Sequence, residues 1–123
     1  MKILIKGGRI IDPANQIDML GDILIDDGLI IKVAKSLSTS DAEILDVEGM
    51  VVCPGFIDMH VHLRDPGLEY KETIATGVRA AAVGGFTTIC SMPNTYPVCD
   101  NRAVASYIID ASKRQNLVNV YPI

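Results

Sequence analysis

Pro54-Gly55-Phe56-Ile57-Asp58-Met59-His60-Val61-His62-Leu63-Arg64-Asp65-Pro66-Gly67 decides how this chain is read. It holds both histidines of the 123 residues, one residue apart. In a strand, side chains alternate between faces, so positions i and i+2 point the same way. Two imidazoles side by side on one face can share a metal ion. Phe56, Ile57, Met59, Val61 and Leu63 are apolar or strand-compatible and support a strand over Phe56–Leu63. Asp58, His60 and His62 are then expected on one face, lining a cavity. Ile57, Met59, Val61 and Leu63 are expected on the other, packed under a covering layer.

Beyond that strand the pattern alternates. A loop (Arg64–Lys71) leads to a helix of roughly Glu72–Val83, with Ile74, Val78, Ala81 and Ala82 on one face. Gly84-Gly85 stops it. A second strand is expected at Phe86–Met92 and a loop at Pro93–Cys99. Asp100 or Asn101 can cap a second helix running to about Gln115, with a stripe of Val104, Tyr107, Ile108 and Ala111. A third strand begins near Leu117. Strands alternating with helices imply a parallel sheet. A doubly wound sheet would carry a glycine fingerprint after its first strand, and none is present. Polar residues at the C-terminal ends of parallel strands are the habit of the (β/α)8 barrel. That barrel needs roughly 250 residues, whereas residues 54–123 supply two βα units and a third strand. The chain is therefore expected to be a piece of a longer protein.

The first fifty residues read as all-β. Lys2–Lys6, Asp22–Asp26, Leu29–Ala34 and Glu43–Val47 are short apolar runs, punctuated by Gly7-Gly8, Asp12-Pro13, Gly21 and Glu48-Gly49. Asp27-Gly28 between two such runs is a hairpin signal. Ser36–Asp41 is polar and expected to be an exposed connection. Composition is ordinary for a globular protein, at 49% hydrophobic and 21% charged. A net charge of −4 gives no nucleic-acid footprint. No apolar run approaches the roughly 20 residues of a membrane span. Cys53, Cys90 and Cys99 form no C-x-x-C pair, so reduced thiols in a cytoplasmic protein are expected, with Cys53 and Cys90 in the core.

Pro54-Gly55-Phe56-Ile57-Asp58-Met59-His60-Val61-His62 resembles the signature of the amidohydrolase superfamily. Its continuation Leu63-Arg64-Asp65-Pro66-Gly67, then Tyr70-Lys71-Glu72-Thr73, Gly84-Gly85-Phe86-Thr87-Thr88 and Met92-Pro93-Asn94-Thr95, is similar to the class I, bacterial-type dihydroorotase family. The resemblance implies a partial, small β-sandwich-type domain over residues 1–53. It implies the truncated start of a metal-dependent hydrolase (β/α)8 barrel over residues 54–123. It implies a zinc enzyme, binuclear when intact. Such an enzyme closes N-carbamoyl-L-aspartate to (S)-dihydroorotate with loss of water, a step of pyrimidine biosynthesis. Zinc would lower the pKa of water from 15.7 to roughly 7 and polarise a ring carbonyl.

By the same resemblance His60 and His62 are metal ligands, and Arg64 and Asn94 bind substrate. Two of these roles have a separate physical case. Arg64 lies two residues past His62, so an extended chain would aim its guanidinium fork at the same cavity, where it can hold a carboxylate. Asn94 follows the second strand and can donate an amide to that carboxylate. Asp58 could orient an imidazole. Asp65, Glu69 and Glu72 read as solvated acids. The bridging ligand, two further histidines and the general base, an aspartate, are expected beyond Ile123, so no catalytic residue falls within the chain and the 123 residues alone are expected to be inactive. The implied partner is a small-molecule substrate, with self-association or association with aspartate transcarbamoylase also within the family's range. Two alternatives stay open: an allantoinase- or hydantoinase-like cyclic amidase, and a metal-free scaffold for aspartate transcarbamoylase.

Overall fold

The structure, a computed structural model, describes all residues 1–123. The chain divides into two compact units, Met1–Pro54 and Gly55–Ile123.

The first unit is one five-stranded sheet. Its strands are β1 (Lys2–Asp12), β2 (Ile17–Asp26), β3 (Leu29–Ala34), β4 (Glu43–Asp46) and β5 (Val51–Val52), in the order β3-β2-β1-β4, with β5 also on β1. The β1/β2 and β2/β3 pairs are antiparallel, and β4 and β5 run parallel to β1. Gly7-Gly8 does not break the first strand as expected. The β1/β2 register shifts between Ile5 and Gly8, and Gly7 takes a φ of 81°. This is a bulge with its extra residue in the left-handed region, which glycine enters at no steric cost. The hairpin between β2 and β3 closes at Asp27-Gly28, with φ values of 46° and 79°. Two positive φ values in a two-residue loop match the twist of the flanking strands.

Asp22 ties this sheet together. It is buried, and its Oδ1 accepts from the Gly7 N–H at 2.9 Å while its Oδ2 accepts from the Leu37 N–H at 2.8 Å. The Leu37 N–H, then the Gly7 N–H and the Lys6 ammonium, hold its carboxyl below the ordinary aspartate range against the cost of burial. The bulge therefore has its freed amide satisfied by a side chain. Cys53, expected in the core, is exposed in this chain, one residue past the end of β5, and Cys90 is half-buried.

The second unit alternates β6 (Phe56–Val61), α1 (Ile74–Val83), β7 (Phe86–Ser91), α2 (Arg102–Gln115) and β8 (Asn119–Pro122). The three strands are parallel and stand in chain order, β6-β7-β8. Thr73 caps α1 through a box, its hydroxyl accepting from the Thr76 N–H while the Thr76 hydroxyl accepts from its own N–H. Asn101 caps α2 by accepting from the N–H groups of Ala103 and Val104.

Both helices bury their apolar stripes in one cluster with the sheet. Ile74 and Val78 of α1 and Ile108 and Ala111 of α2 meet Ile89 of β7 and Val120 of β8 there. Ile89 and Val120 are buried, whereas Tyr121, the next residue of β8, is exposed, as the two-residue period of a strand requires. The helices therefore cover one face of this sheet.

Candidate metal centre

The strand that carries the histidines is irregular at the point that matters. In the β6/β7 ladder Asp58 pairs with Ile89 and Val61 with Ser91, three steps on one strand against two on the other. One extra residue is inserted at Met59-His60. The Asp58 carboxylate folds back and accepts from the His60 N–H at 2.9 Å, supplying the partner that the bulge removes. An extra residue inverts the alternation beyond it. Asp58 and Val61 line the same cavity of about 270 Å³, together with His62 and with Ala80 and Ala81 of α1. The expected division of faces is corrected here. The Asp58 carboxylate is engaged by the backbone, and Ile57 and Met59 are 64% and 75% exposed rather than covered, whereas Val61 and Leu63 pack with the core as expected.

The bulge does not separate the histidines. Their ring centroids lie 5.3 Å apart, at 66° between planes, and both side chains are exposed. Asn94 reaches them from the loop after β7, placing its Oδ1 2.9 Å from His62 Nδ1. Arg64 behaves differently from the extended extrapolation. The strand ends at Val61, and Arg64 sits at a φ of 63°, in the left-handed region. Its direction is therefore set by a turn and not by strand alternation. The four ion pairs of the structure all lie within residues 1–41, so Arg64, a half-buried residue, has no carboxylate partner.

The loop holding Arg64 is anchored by Asp65, one of the acids that the sequence reads as solvated. Asp65 is only 9% exposed, not solvated. Its Oδ2 accepts from the Ile74 N–H at the start of α1 at 3.3 Å, and its Oδ1 accepts from the Tyr107 hydroxyl of α2 at 2.8 Å. These partners lie 9 and 42 residues away, and no local spacing announces them. Glu69, by contrast, stays exposed and closes the turn by accepting from the Gly67 N–H at 2.7 Å. The Asp65 hydrogen bond, followed by burial and the carboxylate's charge, pushes the Tyr107 phenol above its usual value. The phenol donates only while protonated. Its contribution is complete below pH ~10, the unfolded value, and is lost as pH rises through the higher folded value. Tyr107→Phe is expected to cost about 1–2 kcal/mol by leaving a buried carboxylate oxygen unpaired. A thermal-midpoint series from pH 7 to 11 checks it, the gap between the two proteins narrowing at the alkaline end.

In chemical kind the donors suit a metal. Two exposed imidazoles adjoin, and one has its Nδ1 already engaged by an amide oxygen, which leaves Nε2 as its free nitrogen. No third His, Cys, Asp or Glu of the chain joins them in a cluster. A tetrahedral site takes three or four ligands, so this pair is part of a set.

The sequence model of the family described as dihydro-orotase-like matches residues 49–123. The chain belongs to that family. Among curated relatives, a Geobacter sulfurreducens protein named dihydroorotase is 57% identical over 124 aligned residues, covering 100% of this chain and 29% of its own length. One from Acetivibrio thermocellus, also named dihydroorotase, is 53% identical and is covered to 28%. The chain thus spans under a third of the length of these family members. Among solved structures, an L-hydantoinase (dihydropyrimidinase) from Arthrobacter aurescens superposes with a TM-score of 0.86 at 27% identity, over 98% of this chain and 27% of that one. That neighbour agrees with an amidohydrolase α/β architecture for the chain.

Proposed function

We propose that the chain carries the first metal-binding and substrate-binding segment of a zinc-dependent dihydroorotase, interconverting (S)-dihydroorotate plus water with N-carbamoyl-L-aspartate in pyrimidine synthesis in the cytoplasm. Residues 1–53 would be part of a small β domain and 54–123 the start of the barrel. The observation that carries this reading is the His60/His62 ring pair with Asn94 seated on His62. Whole-chain identities of 53% and 57% to proteins of that name support it.

His60 and His62 would hold zinc through neutral imidazole nitrogens. The ion, when bound, supplies a water of lowered pKa and a polarised carbonyl. Arg64, with no carboxylate of its own to neutralise it, would clamp the free carboxylate of dihydroorotate in a fork. The Asn94 amide nitrogen, left over once its oxygen faces His62, would donate to the same group. No residue of the chain stands as general base.

A hydantoinase-like reading draws on the 0.86 superposition. The two differ in substrate charge, because dihydroorotate carries a carboxylate that hydantoin and allantoin lack. The test assays the intact enzyme on all three substrates, as wild type and as Arg64→Gln. The expected result is turnover of dihydroorotate, cut about 10–100-fold in kcat/KM by the substitution through loss of a charge-assisted hydrogen bond worth roughly 1.5–3 kcal/mol. Faster turnover of hydantoin or allantoin, indifferent to the substitution, would transfer the assignment. A protein purified without zinc would favour the scaffold. The 123-residue polypeptide alone is expected to hydrolyse no dihydroorotate with or without added zinc.

A further inference from the structure

We propose that Asn94 is a positioning residue for the metal site as well as a substrate contact, fixing His62 in the tautomer that can ligate. This rests on the metal-dependent reading above and deepens it.

The two ring nitrogens of a neutral histidine are not equivalent; one bears the proton and the other the lone pair. Asn94 Oδ1 lies 2.9 Å from His62 Nδ1. A carbonyl oxygen only accepts, so this contact requires the proton on Nδ1. The lone pair then sits on Nε2, free for an ion. The opposite amide orientation would put Nδ2 on His62 and require an accepting Nδ1. Nε2 would then carry the proton and could not ligate. The contact spans 32 residues, from the loop after one strand to the loop after its neighbour. It is thus built by the β6/β7 pairing and not by local sequence.

His60 has no such partner. The Asp58 carboxylate accepts from the backbone N–H of His60. Orientation by a hydrogen bond to the second nitrogen therefore falls on His62 alone. Asn94 is well chosen for two tasks, because one amide has an acceptor for the imidazole and a donor for an anionic substrate. An aspartate could do only the first.

The test measures Co²⁺ affinity of the metal-free intact enzyme by its visible spectrum, without substrate, for wild type, Asn94→Leu and Asn94→Asp. Residue 94 is exposed in the 123-residue chain, so the thermal midpoints of that chain should match across the three forms, which separates loss of orientation from loss of fold. Asn94→Leu should weaken Co²⁺ binding about 10–100-fold, the usual cost of losing a group that orients a metal-bound imidazole. Asn94→Asp should keep wild-type metal affinity while raising KM for dihydroorotate at least tenfold, since two carboxylates then face each other. Wild-type affinity in Asn94→Leu overturns the positioning role, and a raised KM in that same variant would leave the substrate contact standing. A wild type that takes up no metal overturns the proposed function itself.

Discussion

Replacing His60 or His62 by alanine in the intact enzyme should abolish zinc retention and lower kcat/KM for dihydroorotate by at least ~10³-fold, beyond the 10–100-fold that outer-shell partners typically cost. The chemical reason is the fall in water pKa from 15.7 to roughly 7, which is forfeited with the ion. The structure also says what these substitutions leave alone. Both rings are exposed, and neither belongs to the buried cluster of the second unit. The bulge at Met59-His60 is held by the backbone N–H of His60 on Asp58, which alanine retains. In the 123-residue chain, where both rings are exposed, the same substitutions should move the thermal midpoint by no more than about 2 °C, as expected for a surface change worth under 0.5 kcal/mol. Metal content and thermal denaturation, measured together, check this. A variant that kept zinc and activity would remove the pair from the site.

Gly67→Ala should be the most damaging single change to the fold around Arg64. Gly67 has a φ of 92°, and a Cβ added there would lie 1.8 Å from the carbonyl oxygen of Tyr96. The obstacle is backbone, so no side-chain rotation relieves it. Nor is Tyr96 free to retreat, because its N–H donates to the Pro66 carbonyl at 2.9 Å. Positive φ alone costs a non-glycine residue about 1–2 kcal/mol, and separating the two loops would sacrifice the Tyr96 hydrogen bond as well. A loss of at least ~3 kcal/mol is expected from the combined strain and overpacking. The loops concerned carry Arg64 and Asn94, so KM for dihydroorotate should rise in parallel. Urea denaturation and steady-state kinetics of the intact enzyme test both arms; an alanine variant of wild-type stability would contradict the close approach.

The parts legible in the sequence were those governed by local chemistry. Asp27-Gly28 specified its hairpin, Leu29–Ala34 and the end of α2 at Gln115 fell where their patterns placed them, and Asn101 was one of two named caps. What escaped was set by partners distant in the chain. Val51–Val52 is too short to carry a pattern and is a strand only because β1 offers it an edge. Gly7-Gly8 reads as a break until Asp22 is seen to satisfy the amide it frees. The Met59-His60 insertion leaves no mark in an alternating run, since parity is counted against β7 and not within β6. Asp65 looks like a loop acid because its partners arrive from two helices. At the candidate site, adjacency of the histidines was readable from their spacing. The attachment of Asn94 to one of them was not.

The folded-back Asp58 carboxylate has a consequence for anyone transplanting this chemistry into another barrel. It releases the histidine segment from the neighbouring strand at one amide, while Val61 between the rings stays paired with Ser91, so the two imidazoles flank the point where the ladder resumes. Copying a His-x-His triplet onto a regular host strand would import the two imidazoles without their pedestal. The smallest portable cassette runs from Asp58 to His62 and needs, from the adjoining loop, an amide opposite the second ring.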